Sequence, residues 1–286
     1  MDFFLKILRR VTRLFYKVRG LARIADFIRR SFARKPREVI IGDFDGSLKM
    51  SLDIGEHIGS WIFWKGNHSL EELEALAPLL KEDSIFFDMG ANQGEFSLFA
   101  AKRLPKGRVF SFEPVARTRG RLERNVALNG LSNITVLPYG LASKPGRLPI
   151  HLPKDSWFDG SLNMGAPSIY GEGELTEEIE IRTLDGVFSK LGAGRIDVLK
   201  ADIEGAEYDM LKGGAETLKK HRPVMLLEAN APMLRRAGSG PREFCDFLRS
   251  LGYSLTEIVP GGEPRPLESD DFEFKNLLCL PASTGS

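Results

Sequence analysis

Residues 86–97 read FFDMGANQGEFS: an apolar run, an acid, a turn holding Gly90 and Gly94, and the start of a helix-like segment. That is the order of strand, tight turn and helix, with glycines where the backbone needs positive φ or a close approach. The same rhythm continues toward the C-terminus. SIFF (84–87) leads to a helix expected at about 95–104, RVFSFE (108–113) to one at about 116–129, and NITVL (133–137) follows. After an irregular stretch come IDVLKAD (196–202), a helix at about 206–220, PVMLLEA (223–229) and a helix at about 241–251. YSLTEIV (253–259) and FKNLLCL (274–280) close the series, separated by a loop containing PGGEPRP that permits an antiparallel hairpin at a sheet edge. Apolar strands alternating with amphipathic helices define an α/β chain: a Rossmann-like, mostly parallel sheet covered on both faces, with ligands expected beyond the carboxyl ends of its strands.

The sheet begins near residue 84, and two segments precede it. Within residues 1–37, Phe4, Ile7, Leu8, Val11, Leu14, Phe15, Val18, Leu21, Ile24 and Ile28 recur at spacings of three and four, the pattern of an amphipathic helix. This head carries twelve Lys or Arg against Asp2 and Asp26, so it holds a charge of +10 where the other 249 residues hold −9. A basic residue every few positions excludes the uninterrupted apolar core of a secretory signal. Such a helix suits peripheral contact with an anionic membrane surface, or docking on the body or on a partner. A nucleic-acid arm is disfavoured by the large apolar residues and the acidic body. Residues 38–83 read as a lead-in or cap. EVIIGDFDGSLKMSLD (38–53) gives two strands turning at Asp45-Gly46, and SLEELEALAPLL (69–80) a helix with Ser69 as N-cap and Glu72 completing a capping box. Residues 84–286 form the main domain.

Composition supports a globular chain: 286 residues, 42% hydrophobic and 28% charged, with no run apolar enough to span a bilayer. Cys245 and Cys279 lack metal or disulfide spacing and read as buried thiols in a reducing, cytoplasmic setting.

The chemistry lies at the strand ends. A dinucleotide turn reads GxGxxG and offers backbone N–H groups to a pyrophosphate, whereas this turn begins with the carboxylate of Asp88. A carboxylate opposes a diphosphate and suits a ligand carrying an ammonium or a positive sulfur. S-adenosyl-L-methionine has both. Glu113 ends the next strand, where a carboxylate accepts hydrogen bonds from ribose hydroxyls. In LKADIEGAEYDMLKGG (199–214), Lys200, Asp202 and Glu204 alternate in phase at a strand end, a place where ionisable groups tune one another; Glu207, inside the following helix, reads as structural.

With those segments in hand, the chain resembles the FkbM family of S-adenosylmethionine-dependent methyltransferases, on FFDMGANQGEFS, VFSFEP, RTLDGVF and above all VLKADIEGAEYDMLKGG, over roughly residues 84–230. The resemblance implies a class I methyltransferase sheet of seven strands with the final hairpin at one edge. It implies methyl transfer, usually to a hydroxyl oxygen of a sugar or other small natural product. The cofactor-binding residues carried over are Asp88, Gly90, Ala91, Asn92 and Gly94 at the methionine moiety, Glu113 with Pro114 at the ribose, and Asp202. The catalytic set is Asp202, Glu204 and Lys200, a carboxylate serving as base with Lys200 orienting it. No motif assigns a metal site, although a divalent cation held by these carboxylates is the alternative way to acidify the acceptor. Ala201 departs from the family's usual Ile or Val, a matter of packing.

Three further segments bear on the acceptor. Residues 151–174, HLPKDSWFDGSLNMGAPSIYGEGE, read as a lid or acceptor loop. Trp61 and Trp64 read as core rather than sugar-stacking residues; His57 and His68 lie in the lead-in, where a cap could reach the site, and His151 borders the lid, but surface or helix-end roles are the preferred reading for these and for His221. A nicotinamide oxidoreductase and a noncatalytic, membrane-attached binding module stand as competing readings.

Overall fold

A computed structural model describes residues 3–282 apart from 34, 154–156, 159, 160, 163–166, 172 and 262. The head folds as two helices, α1 (Phe3–Lys17) and α2 (Ala22–Ser31), because Gly20 at φ 90 breaks the expected single helix. They pack as a hairpin, tied by the Tyr16 hydroxyl donating to Asp26 Oδ1 at 2.8 Å. Next come β1 (Glu38–Phe44) and β2 (Leu48–Asp53), antiparallel about a turn in which Asp45 and Gly46 both have positive φ, then α3 (His57–Trp64) and α4 (Leu70–Leu76). Ser69 precedes α4 as expected, but the capping box does not form. Its hydroxyl pairs with His68 Nδ1 at 3.1 Å, while Glu72 accepts from Asn276 on the distant edge hairpin. A tertiary partner has replaced the local one.

The main domain alternates β3 (Ile85–Met89), α5 (Glu95–Arg103), β4 (Arg108–Phe112), α6 (Ala116–Asn129) and β5 (Ile134–Leu137). The connection that follows is not irregular. It holds β6 (Gly140–Leu141), β7 (Gly146–Pro153), the two-residue strands β8 (Trp157–Phe158) and β9 (Ser161–Leu162), and β10 (Gly173–Arg182). Strands β6, β10 and β7 form a separate small sheet beside the main one. The chain then gives α7 (Leu184–Leu191), β11 (Val198–Ala201), α8 (Glu207–Lys212), α9 (Ala215–His221), β12 (Val224–Asn230), α10 (Ala231–Arg236), α11 (Pro241–Ser250), β13 (Tyr253–Glu257), β14 (Arg265–Pro266) and β15 (Phe274–Pro281).

The main sheet runs β14-β13-β15-β12-β11-β3-β4-β5. Strands β3, β4, β5, β11 and β12 are mutually parallel, and β15 inserts antiparallel between β12 and β13. It therefore has eight strands where seven were expected, the extra one a two-residue pairing at the edge. Alternation divides the core between the faces. Phe87, Met89, Phe110 and Leu199 pack toward Met210, Leu218, Phe244 and Leu248 of the later helices. Phe86, Val109, Val198 and Leu226 pack with α5, α3, β1, β2 and Leu5 of α1, so the lead-in shares a core with the sheet. Trp64 and both free cysteines are buried.

Candidate active site

The glycine turn is held against the end of β11. Gly90 has φ 76, and a Cβ there would lie 1.9 Å from the Asp202 carbonyl oxygen, so only glycine lets the two strand ends meet. The Gly90 and Ala91 amides both donate to the Phe112 carbonyl at 3.0 Å. Asn92 takes φ 50, and Gly94, at φ 99, caps α5 while packing on Leu122. Glu113 braces this turn: one oxygen accepts from the Asn92 amide and the other from the Val115 amide, both at 2.9 Å. Burial pushes its pKa up to about 7, against the pull of those two amides.

Parallel register sets Ser111, Asp88 and Lys200 side by side on the α5 face of the sheet. Asp88 is wholly buried. It accepts from Ser97 Oγ at 2.5 Å and faces Lys200 Nζ at 3.8 Å; its Oδ1 takes no hydrogen bond. The sequence reading set Asp88 against the ligand's amino-acid portion; in the structure its side chain is buried behind the cavity and faces Lys200. Lys200 donates to the Gly90 carbonyl at 3.2 Å and lies 3.6 Å from Asp202 Oδ2. Burial disfavours its charge, yet Asp202, Asp88 and Glu228 raise its pKa above the ordinary lysine value.

Past β11 the chain turns through Glu204 at φ 54 and Gly205 at φ 97, a non-glycine residue held in the left-handed region. Glu207 braces this turn by accepting from the Ile203 and Gly205 amides at 2.6 and 3.0 Å, which is the structural part read for it. The Glu204 carbonyl accepts from Ser168 Oγ at 2.7 Å. Its carboxylate takes no hydrogen bond among the described residues, and burial followed by repulsion from Asp202 and Glu207 pushes its pKa up to about 8.

These elements enclose a cavity of about 400 Å³ at the carboxyl ends of the parallel strands. Gly90, Ala91, Asn92, Glu113, Pro114, Lys200, Asp202 and Glu204 all line it; Gly94 and Asp88 support it from behind. The carboxylates of Glu95, Glu113, Asp202, Glu204 and Glu228 face it against the single ammonium of Lys200. Glu95 and Glu228 escaped the sequence reading. Glu95 accepts from the His68 amide at 2.7 Å, and burial raises its pKa to about 7. Glu228 lies in β12 in phase with Leu226, so an acid following the apolar run of that strand, a signal like the one that marked Glu113, was there to find it. Burial and the neighbouring acids raise its pKa well above the usual carboxylate range.

Two histidines of the lead-in reach the site. His57 and His68 line the cavity with their rings edge to face at 5.4 Å, and burial holds His68 near pKa 4, hence neutral. His151 and His221 do not line it, and neither do Trp61 and Trp64. Of the 151–174 stretch, Pro167 and Ile169 line the cavity, while much of it lies outside the described residues, so a lid is not assigned there. Among the described residues no group of three His, Cys, Asp or Glu is placed to hold a metal ion.

The strand order, the glycine turn after β3 and the acid after β4 define a Rossmann-like methyltransferase fold. Residues 88–255 match the family model described as the methyltransferase FkbM domain, and the chain belongs to that family. It is similar to methyltransferase sdnD of Sordaria araneosa, 31% identical over 159 residues that cover 47% of this chain and 61% of that protein. The 2-O-methyltransferase NoeI of Sinorhizobium fredii is 27% identical over 169 residues, 55% of this chain and 69% of NoeI. The hexuronic acid methyltransferase AglP of Haloferax volcanii is 30% identical over 186 residues, 63% and 66% of the two chains. The match to sdnD thus spans less than two thirds of that protein's length.

Proposed function

We propose that the chain transfers a methyl group from S-adenosyl-L-methionine to a hydroxyl oxygen of a sugar or another small natural product. The observation that carries this reading is the make-up of the cavity wall: five carboxyl groups, which a cationic ligand draws toward their ionised forms, and one ammonium around a glycine turn. That donor set fits a ligand bearing a sulfonium and an ammonium, and it opposes the diphosphate of a dinucleotide. When bound, S-adenosyl-L-methionine supplies a methyl carbon already activated by positive sulfur.

The residues of the chain divide the remaining work. Glu113 holds the turn of Asn92 and presents a buried carboxylate suited to ribose hydroxyls. Asp88 and Lys200 fix the floor, and Lys200 in turn holds Asp202 at the cavity edge. Glu204 receives the acceptor's proton. Its carboxylate is unengaged and ionises near neutral pH, where a general base works best. The apolar part of the wall, with Phe96, Phe112, Ile179 and Ile181, excludes water from the reacting oxygen. Two relatives support the acceptor class through what their names say of them, 2-O-methylation for NoeI and hexuronic acid methylation for AglP.

The test is to incubate the protein with isotopically labelled S-adenosyl-L-methionine and a panel of hexoses, deoxyhexoses and hexuronic acids, and to seek labelled methyl ethers by mass spectrometry. A labelled ether that disappears with Glu204→Gln supports the reading. Methylation confined to nitrogen or carbon acceptors, or hydride transfer from a nicotinamide donor, would contradict it.

A further inference from the structure

The head hairpin docks through a mixed face. Leu5, Leu8, Tyr16, Ile28 and Phe32 pack on the body's core, and arginines are anchored beside them. Arg9 Nε donates to the Phe63 carbonyl at 2.9 Å, and its guanidinium pairs with Asp43 at 2.6 Å. Arg13 reaches Asp43 at 2.9 Å and the Ile62 carbonyl at 3.2 Å, and Arg29 lies over the Trp61 ring at 4.4 Å. A second set of apolar side chains faces outward and forms a stripe there. Phe3, Phe4 and Phe27 are 79%, 70% and 75% exposed, and Ile7, Leu14, Val18 and Ile24 are exposed beside them. Phe3, Ile7 and Leu14 fall on one face of α1, and Val18 follows just past its end.

Basic side chains border that stripe. Lys6, Arg10 and Lys17 share its flank on α1, Arg19 stands at the bend, and Arg23 lies on the exposed side of α2. All five are exposed and form no ion pair among the described residues, whereas the inner arginines are committed to Asp43, Asp26 and backbone carbonyls. Exposed phenylalanines bordered by cations complement a surface that is apolar within and anionic at its rim. A second copy of the same face would oppose cation with cation, and a nucleic acid would leave the phenylalanines in water. No described helix is long and apolar enough to cross a bilayer, so the hairpin can lie in the interface but not span it.

We infer that the hairpin of α1 and α2 is a peripheral membrane-binding surface that seats Phe3, Phe4 and Phe27 among the acyl chains of an anionic phospholipid leaflet. Its arginine-lined inner face fixes it to α3, the helix whose first residues, His57 and Ile58, line the cavity, so binding holds the catalytic domain close to the bilayer. This does not depend on the reaction proposed above.

The experiment is sedimentation of the full chain with vesicles of phosphatidylcholine alone and of phosphatidylcholine with phosphatidylglycerol, at low and high salt. Anionic vesicles are expected to bind at least about tenfold more tightly, with the advantage shrinking as salt rises. Replacing Phe3, Phe4 and Phe27 together by Ser should lower partitioning by about tenfold or more, since each loses a buried aromatic contact. Replacing Lys6, Arg10, Lys17 and Arg23 by Gln should cost on the order of fivefold per residue on anionic vesicles only. These side chains are exposed, so an unchanged circular dichroism melt is expected; if the Phe variant melts early, Leu14→Ser with Ile24→Ser reads the same surface. Equal binding to neutral and anionic vesicles, or none to either, overturns the inference. So does a dimer in light scattering that the Phe variant abolishes while vesicle binding stays the same.

Discussion

Replacing Lys200 by Met removes the one ammonium from a floor of carboxylates while keeping most of its volume. Lys200 stands 3.8 Å from the wholly buried Asp88 and 3.6 Å from Asp202. At an effective dielectric near 20, a pair at that distance is worth about 4 kcal/mol, in line with the roughly 3–5 kcal/mol lost when one partner of a buried pair is removed. The loss has a pH signature. Asp88 is already shifted upward by burial, and without Lys200 its folded-state pKa climbs further. The folded variant then binds a proton that the unfolded chain has released, so its stability falls as pH rises through that window. Urea unfolding should therefore show Lys200→Met destabilised by about 3–5 kcal/mol near pH 8 and by less near pH 5.5. Adding Asp88→Asn should restore about 2 kcal/mol near pH 8 and flatten the dependence, because the stranded charge is gone. A loss below about 1 kcal/mol, or an equal loss at both pH values with no rescue, would refute the claim that Lys200 is held by Asp88.

Other perturbations read other parts of the site. Glu204→Gln should reduce methyl transfer on the order of 100-fold or more and abolish the rise in rate toward about pH 8, while the dissociation constant for S-adenosylhomocysteine stays within about threefold; steady-state kinetics against pH measures both. Glu113→Gln should weaken that affinity about tenfold or more, since a turn brace and a ribose partner are altered together. For His68, whose folded pKa near 4 lies below its ordinary 6.5, the unfolded chain takes up the proton first on acidification, so His68 subtracts stability as pH falls between those values. His68→Asn should gain on the parent by up to about 3 kcal/mol over that interval in chemical denaturation, and a constant difference would dissociate His68 from the effect.

The sheet was legible because its strands are short apolar runs ended by Gly, Pro or an acid, a pattern that buried parallel strands require. Gly90 and Gly94 announced the turn, and Lys200 with Asp202 announced the second strand end. The small sheet was not legible. Pro149 and Pro153 argue against a strand in β7, which tolerates them as an edge strand, and the Glu-rich alternation of β10 has one solvated face that hides it among loops. That the lead-in bearing His57 and His68 could reach the site was legible, but surface or helix-end roles were preferred because both reach the cavity through tertiary packing of α3 and α4, which no local spacing records. The head was expected as one amphipathic helix; which side of its two helices faces the body is set by Asp43 and by the carbonyls of Ile62 and Phe63, all distant in sequence.

Calorimetric titration with S-adenosylhomocysteine and with NAD, in buffers of differing ionisation enthalpy, bears most directly on the carboxylate-lined cavity. The account predicts saturable binding of S-adenosylhomocysteine with release of protons near pH 7, as its ammonium draws Glu95, Glu113 and Glu204 toward their ionised forms, and no binding of NAD. Saturable binding of NAD with none of S-adenosylhomocysteine would contradict it.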